Sequence, residues 1–492
     1  MKKLPLKDIV AILNGTIEQG TDDLIIHDLI TRIHRIRRGA LLFDLHHDRD
    51  VDRDICRKEF PYAIITDRPA AFAGLPENIT MIRVADLRQA FWQFIDFYRG
   101  LFNIPVIGVT GTCGKTTTKE MIKHILGGSY RVHASYKSYN ASFRNLRYLL
   151  AMDDATQAAV YEMGVAAAGD LQDSCRYFKP QVGVITNIGI DHLLTFGTLD
   201  AYIAAKAELL AGMGYQGTLV LNGDDQNIQS IDLQRFAGKI IYFGTGDRCH
   251  FKAAHIRHGT RGIEFQLEYE GQTYQLAFPG HAEFNVYNAT AAIAAAHAIG
   301  VPVAAAGARL ASFQNVEKHF EFNEGINGST IIDDTWSTNP TSAAAALKLL
   351  KSLSQGKKTI AVLGKMALLG KQSTPCHYQT GENVAAIGID QLIVMGDEAA
   401  AIGLGALQKG MASSAVYFCQ DSNEAYAVLG KALGPDSIAL VKTSMLASYE
   451  DLIGKVVVKK LPDAPESNSG AGCPADHPAS SASPDGPECQ RI

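Results

Sequence analysis

GVTGTCGKTTT, residues Gly108 to Thr118, is the stretch whose reading decides the fold. Before it, Ile104-Pro105-Val106-Ile107 is short and apolar and reads as a buried strand. After it, KEMIKHIL from Lys119 to Leu126 spaces its apolar residues as one face of a helix. Strand, glycine loop and helix in that order turn the loop N–H groups and the positive helix end toward an anion. Lys115 can then reach the outer phosphates of a nucleoside triphosphate, and the Thr116 hydroxyl can hold a magnesium ion. Gly111, Thr112, Cys113, Gly114 and Thr117 complete the expected cradle. One position departs from G-x-x-x-x-G-K-[ST]: glycine would stand at 109, which is Val109, and is found one residue earlier at Gly108.

At 492 residues the chain is too long for one ordinary core, and about two to four domains are expected. With 47% hydrophobic and 20% charged residues it has the composition of a soluble globular protein. A net charge of -5 supplies no basic footprint, so a nucleic-acid partner is not suggested. The eight cysteines, Cys56, Cys113, Cys175, Cys249, Cys376, Cys419, Cys473 and Cys489, lack C-x-x-C spacing and read as reduced thiols. Lys7 and Asp8 interrupt the segment where a signal peptide needs an apolar core. A cytoplasmic location is therefore expected. The alanine-rich stretch from Ala289 to Ala311 is broken by His297, Gly300-Val301-Pro302 and Arg309, and reads as a buried helix pair rather than a membrane span.

The fold class expected is α/β in three domains. Residues 1–100 form a small N-terminal α/β domain, closed by an aromatic helix from Leu87 to Phe102. Residues 101–312 alternate strands and helices in a mainly parallel sheet that carries the glycine loop. There AAVYE ends at Glu162, VGVIT precedes Asn187, and GTLVL precedes Asn222, with ligands expected at these carboxyl ends. Between Ile240 and Phe278 the pattern turns to short alternating strands, expected as an antiparallel excursion from that sheet. Residues 313–460 repeat the strand and helix alternation as a Rossmann-like domain without a second phosphate fingerprint. Residues 461–492, rich in Pro, Ser, Ala and Gly, are expected as a disordered tail.

Singly, Glu162, His192 and Lys206 read as a capping carboxylate, a surface histidine and a solvated lysine. In order with the rest they carry a resemblance. TGTCGKTTTKE, YEMG, TNIGIDHLLTFGTLDAYIAAKAEL, NVYNATAA and IIDDTWSTNP follow one another as in the Mur ligases. The nearest type is MurF, which joins D-alanyl-D-alanine to a UDP-N-acetylmuramoyl-tripeptide. That family also writes its loop G-x-x-G-x-x-G-K, so the displaced glycine is expected. The resemblance implies ATP and two magnesium ions. Lys115 would meet the β- and γ-phosphates and Thr116 the first magnesium. Glu162 and His192 would face the second, beside a carbamylated Lys206. Asn285 and Asn288 match residues near adenine, and Asp334 one that closes over the nucleotide from the third domain. The reaction implied is amide formation through an acyl phosphate, with small-molecule acid and amine substrates, by a monomer without membrane insertion.

The departures lie outside the nucleotide core. The family's Asp-Ser-Arg and P-G-D-L-F segment reads Arg32 to Leu42 here, where Arg35, Arg37 and Arg38 form a basic edge. NNEIGVPLTLL reads NASFRNLRYLL, with Ala141, Arg144 and Leu146 at altered positions. G-R-x-E becomes Lys318-His319-Phe320-Glu321, N-A-N-P becomes Ser337-Thr338-Asn339-Pro340, LGDMxELG carries Lys365 and Leu368, and K-G-S-R becomes Lys442-Thr443-Ser444-Met445. His377 and Gly381 keep the family spacing. Two further readings follow: a paralogue joining a different acid and amine, and an ATP-binding regulatory protein without turnover. The retained Glu162, His192 and Lys206 count against the second.

Overall fold

The apolar run before the glycine loop forms the fully buried strand Val106–Thr110, and the helix after it is Lys115–Leu126. In the computed structural model, which describes residues 1–45, 60–259, 262–445 and 449–461, this strand lies within a nine-stranded sheet. Parallel strands Ala158–Glu162 and Val182–Ile185 flank it. Val132–Ala134 lies beyond the first, and Thr218–Asn222 then Lys239–Gly244 beyond the second. Successive residues point to opposite faces, and each face has its own core. Ile107, Val109, Val160 and Val184 pack with helices Lys115–Leu126 and Asn285–Ala298. Val106, Ala159, Tyr161 and Ile185 pack against helices Asp170–Phe178 and Leu199–Gly212. Helices on both faces explain why these strands are apolar throughout. The parallel strands also end together, so Thr110, Glu162 and Asn222 emerge along one edge.

Residues 240–278 do not leave the sheet. Phe251–Gly259 pairs parallel with Lys239–Gly244, then antiparallel with Gly262–Tyr269, which pairs antiparallel with Gln272–Phe278. The alternation of Ile263, Phe265 and Leu267 gives these strands one apolar face, and that face lies on the core of helix Asn285–Ala298. An excursion would have left it in water.

The N-terminal unit holds a five-stranded sheet ordered Thr16–Gln19, Thr80–Arg83, Ala63–Thr66, Ala40–Phe43, Asp28–Ile30. Its closing helix, Leu87–Gly100, is capped by the Asp86 carboxylate and buries Phe91, Phe94 and Tyr98. Those rings share a core with Leu6 and Ile9 on one side and Ala159 and Phe178 of the central sheet on the other. Arg99, also buried, donates to the carbonyls of Phe178 and Phe102, both at 2.7 Å. The first two units are thus joined through a continuous core. The third unit is a seven-stranded sheet whose centre, Lys358–Leu363, Ser437–Lys442 and Thr330–Asp333, is parallel. One edge is closed by the antiparallel strands Glu321–Gly325 and Val457–Lys460.

The alanine-rich stretch forms the helices Asn285–Ala298 and Val303–Leu310, whose inner faces are buried. Among the described residues no helix is long and apolar enough to cross a membrane. Cys113, Cys175, Cys249, Cys376 and Cys419 carry free thiols. Cys56, Cys473, Cys489 and the tail beyond Leu461 lie outside the described residues.

His133, on the outermost parallel strand, places Nδ1 3.0 Å from the hydroxyl of buried Tyr161. Burial depresses its pKa from 6.5 to about 4, Asp153 opposing and Lys123 reinforcing the shift. The proton therefore binds the unfolded chain better than the folded one. Its stabilising contribution is complete above pH 6.5 and lost as the pH falls toward 4. We expect urea denaturation to show roughly 1–3 kcal/mol of acid destabilisation over this window that is absent from His133→Gln.

Candidate active site

The glycine loop is held from behind by the strand ends around it. Thr112 N–H donates to the Asn187 carbonyl and Cys113 N–H to Asn187 Oδ1, both at 2.9 Å. Asn187 Nδ2 returns a bond to the Cys113 carbonyl at 3.0 Å, which also accepts from Thr186 Oγ1 at 2.6 Å. Gly111 has φ 144°, and a Cβ there would lie 2.0 Å from Thr186 Oγ1; at Gly114, φ 78°, it would meet Asn288 Oδ1 at 2.3 Å. Both glycines are required by conformation and by space. Asn288 Oδ1 accepts from Thr118, and its Nδ2 donates to Asn285 Oδ1. Asn288 thus braces the loop itself. Lys115 Nζ bonds the Thr112 carbonyl at 2.8 Å, folded back over the loop.

In front of the loop lies a cavity of about 480 Å³. Thr112 to Thr117, Glu162, His192, Asn285 and Asn288 line it from the central domain, and Asp334, His319 and Lys442 from the third. Gly111 and Lys206 sit behind this wall. Thr116 Oγ1 donates to Glu162 Oε2 at 2.9 Å and lies 2.7 Å from Ser138 Oγ, while Asn140 Nδ2 donates to Glu162 Oε1 at 2.6 Å. The result is a compact set of hard oxygen atoms at the start of the helix.

Lys206 is 1% exposed, and its amine donates to Thr110 Oγ1 at 3.3 Å. It lies over the face of Tyr202, 5.0 Å from the ring centre, and His192 stacks on the same ring. Burial lowers the Lys206 pKa well below the lysine range; the Lys115 charge adds to this, and Asp191, Glu162 and Cys113 oppose it. Burial also holds His192 toward its neutral form, opposed by Asp191 and reinforced by Lys206 and Lys115. His192 adopts φ 53° at the start of helix Leu193–Phe196, its N–H bonded to Asp191 Oδ1 at 2.8 Å.

The loop bearing Asp191 and His192 is also where the third domain attaches. Asn339 caps helix Pro340–Leu353 with its side-chain oxygen and donates through Nδ2 to Asp191 Oδ2 at 3.1 Å. Ile190 N–H donates to Thr341 Oγ1 at 3.1 Å, and Leu194 N–H to the Leu368 carbonyl at 2.8 Å. Asp334, at the end of its strand, pairs with buried Lys442 at 2.6 Å.

Residues 109–296 match the Mur ligase middle domain, and residues 320–445 the Mur ligase, glutamate ligase domain. The chain belongs to the Mur ligase family. It is 29% identical over 465 residues to the UDP-N-acetylmuramoyl-tripeptide–D-alanyl-D-alanine ligase of Bacillus subtilis, covering 94% of this chain and 100% of that relative. The Escherichia coli enzyme of the same name is 27% identical over 409 residues, 82% of this chain and 88% of its own length. The crystal structure of MurF from Acinetobacter baumannii aligns with a TM-score of 0.79 at 26% identity, covering 92% of this chain and 98% of that one.

The positions where this Mur ligase departs from the family pattern form contacts of their own. Lys365 pairs with Glu398 at 2.5 Å. His319 stacks on Trp336, and its Nδ1–H donates to the Glu317 carbonyl at 2.7 Å, which leaves Nε2 as the nitrogen available to the cavity. Arg144 lies over the Tyr139 ring, 4.6 Å from its centre. Of the two retained positions, His377 is fully buried and accepts the Met366 N–H through Nε2 at 2.9 Å, so it shapes the 364–373 loop. Gly381 permits a helix crossing: a Cβ would lie 1.8 Å from the Ile402 carbonyl oxygen. Asp191, Ser138 and Lys442 were not singled out as site residues by sequence. Asp191 precedes His192 in IGIDH, and its acidity beside a candidate histidine was the available signal. Ser138 is marked by no motif.

Gly111→Ala is expected to lower affinity for a non-hydrolysable ATP analogue about tenfold or more, equivalent to about 1.4 kcal/mol per factor of ten. Gly430→Ala, where a Cβ meets open space, should leave it unchanged in the same calorimetric titration.

Proposed function

We propose that this chain is an ATP-dependent, ADP-forming ligase that adds D-alanyl-D-alanine to a UDP-N-acetylmuramoyl-tripeptide in peptidoglycan precursor synthesis, in the cytoplasm. The observation that carries the reading is the convergence of Lys115, Thr116, Glu162 and His192 on one cavity with Asp334 and Lys442 of the third domain. Near full-length similarity to relatives bearing that name supports the choice of substrates.

The donor set suits magnesium, which favours hard oxygen ligands and retains water. Thr116 and Glu162 are the candidate ligands, with His192 nearby. Among the described residues no three His, Cys, Asp or Glu side chains form a metal cluster, so phosphate oxygens and water would complete the coordination. Lys206 suits a carbamate. A buried neutral amine is a nucleophile toward carbon dioxide, and the product is an anion where an ammonium would repel the metal. Magnesium would neutralise phosphate charge and polarise the γ-phosphoryl group.

In the proposed reaction a carboxylate oxygen of the tripeptide bonds to the γ-phosphorus as the bond to ADP breaks. The dipeptide amine then attacks the acyl carbon, loses a proton, and phosphate departs. Each first-step partner is an anion, so cationic groups must offset their repulsion. Lys115 supplies that charge on the loop side, and the N–H groups at the start of helix Lys115–Leu126 face the phosphates. His192, held toward its neutral form, is suited to accept a proton. Asp334 and Lys442 close the cavity from the third domain and limit water access to the acyl phosphate.

The test is phosphate release with UDP-N-acetylmuramoyl-tripeptide, D-alanyl-D-alanine, ATP and magnesium. Release that requires both organic substrates is expected. None with this pair, but turnover with another acid or amine, would assign the chain to a paralogue's chemistry. Lys115→Ala should lower kcat by about 10²-fold or more. Lys206→Ala should be similarly impaired and partly rescued by short carboxylic acids, and labelled bicarbonate should give a carbamate resonance in the parent protein that the variant lacks.

A further inference from the structure

Lys119 is a fully buried lysine outside the cavity, and the reaction does not use it. It sits one turn into the helix that follows the glycine loop, and its amine is saturated by acceptors. It donates to the Ser135 carbonyl at 2.9 Å and the Lys137 carbonyl at 3.0 Å, and pairs with Glu120. Two of these three partners belong to the segment between Val132–Ala134 and the short helix at 142–144.

That segment reaches the candidate metal groups at three points. Ser135 Oγ accepts the Glu162 N–H at 2.9 Å, Ser138 Oγ lies 2.7 Å from Thr116 Oγ1, and Asn140 Nδ2 donates to Glu162 Oε1 at 2.6 Å. Between them Lys137 takes φ 46°, a left-handed conformation that a side chain disfavours. The carbonyl of that residue is one that Lys119 holds. The chain therefore reverses at Lys137 against its local preference, and the reversal delivers Ser138 and Asn140 to Thr116 and Glu162.

We propose that Lys119 is a positioning residue: by anchoring the 135–137 backbone it sets the Thr116 and Glu162 oxygens at the separation that accepts a divalent cation beside the nucleotide. The inference rests on reading Thr116 and Glu162 as metal-facing groups. Outer partners of this kind commonly change metal affinity by about 10–100-fold. A lysine serving only the hydrophobic packing of its helix would alter stability and leave the metal affinity alone.

The experiment measures Mn²⁺ binding to the ADP-bound protein by electron paramagnetic resonance, and ADP binding without metal by calorimetry. Lys119→Met is expected to weaken Mn²⁺ about tenfold or more with metal-free ADP affinity unchanged. Asn140→Ala alone should weaken it too, and added to Lys119→Met should produce little further loss, since both act through one segment. Lys119→Gln, which keeps a donor in the site, should fall between parent and Lys119→Met and serves if the methionine variant does not fold. Unchanged Mn²⁺ affinity in a folded Lys119 variant, equal loss of metal-free ADP affinity, or full additivity with Asn140→Ala would overturn the proposal. Glu162→Gln separates the two failures. If it weakens Mn²⁺ and the Lys119 variants do not, only the positioning role fails; if it too has no effect, the metal reading fails with it.

Discussion

The glycine loop keeps its shape because everything behind it is already hydrogen-bonded. Asn187, Thr186 and Asn288, each neutral, brace the loop, and a Cβ at Gly111 or Gly114 would collide with Thr186 or Asn288. Neutral bracing matters physically. A carboxylate in any of those places would cancel the positive potential that the loop and helix terminus offer to an anion. In front of the loop, Lys115 is the cation and Glu162 the carboxylate beside Thr116.

The sheet supplies the remaining geometry. Parallel strands packed on both faces must end in register, so one residue from each strand end reaches the same edge. The third domain then closes that edge through the 189–194 loop. The capping residue of helix Pro340–Leu353 grips Asp191, and the neighbouring His192 points into the cavity. Attachment of the domain and placement of a site residue are thereby the same local event. A shift of the third domain would move His192 relative to Lys115, which ties the site's completeness to domain position.

What could be read from the sequence was whatever is written locally. Strand, loop, helix, the strand ends at Glu162 and Asn222, and the helix pair at 285–310 follow from short-range pattern and composition. Alternation in residues 262–278 announced strands but not their sheet, because period two fixes which face is apolar and not which core covers it. Asn288 lines the cavity, and its amide also packs on Gly114, a contact across 174 positions of chain that no local pattern announces. Asp191, Ser138, Asn140 and Lys119 escaped for the same reason. Each depends on partners that are distant in sequence or that belong to backbone carbonyls, which carry no residue identity.

The central claim is that the cavity activates a carboxylate by phosphorylating it. The most direct measurement uses tripeptide substrate with ¹⁸O in the carboxylate that is joined, with turnover followed by mass analysis of the released phosphate. The account predicts one labelled oxygen in each phosphate, because the carboxylate oxygen that attacks phosphorus leaves with it. Amide formation with unlabelled phosphate, or with release of AMP and pyrophosphate, would contradict it.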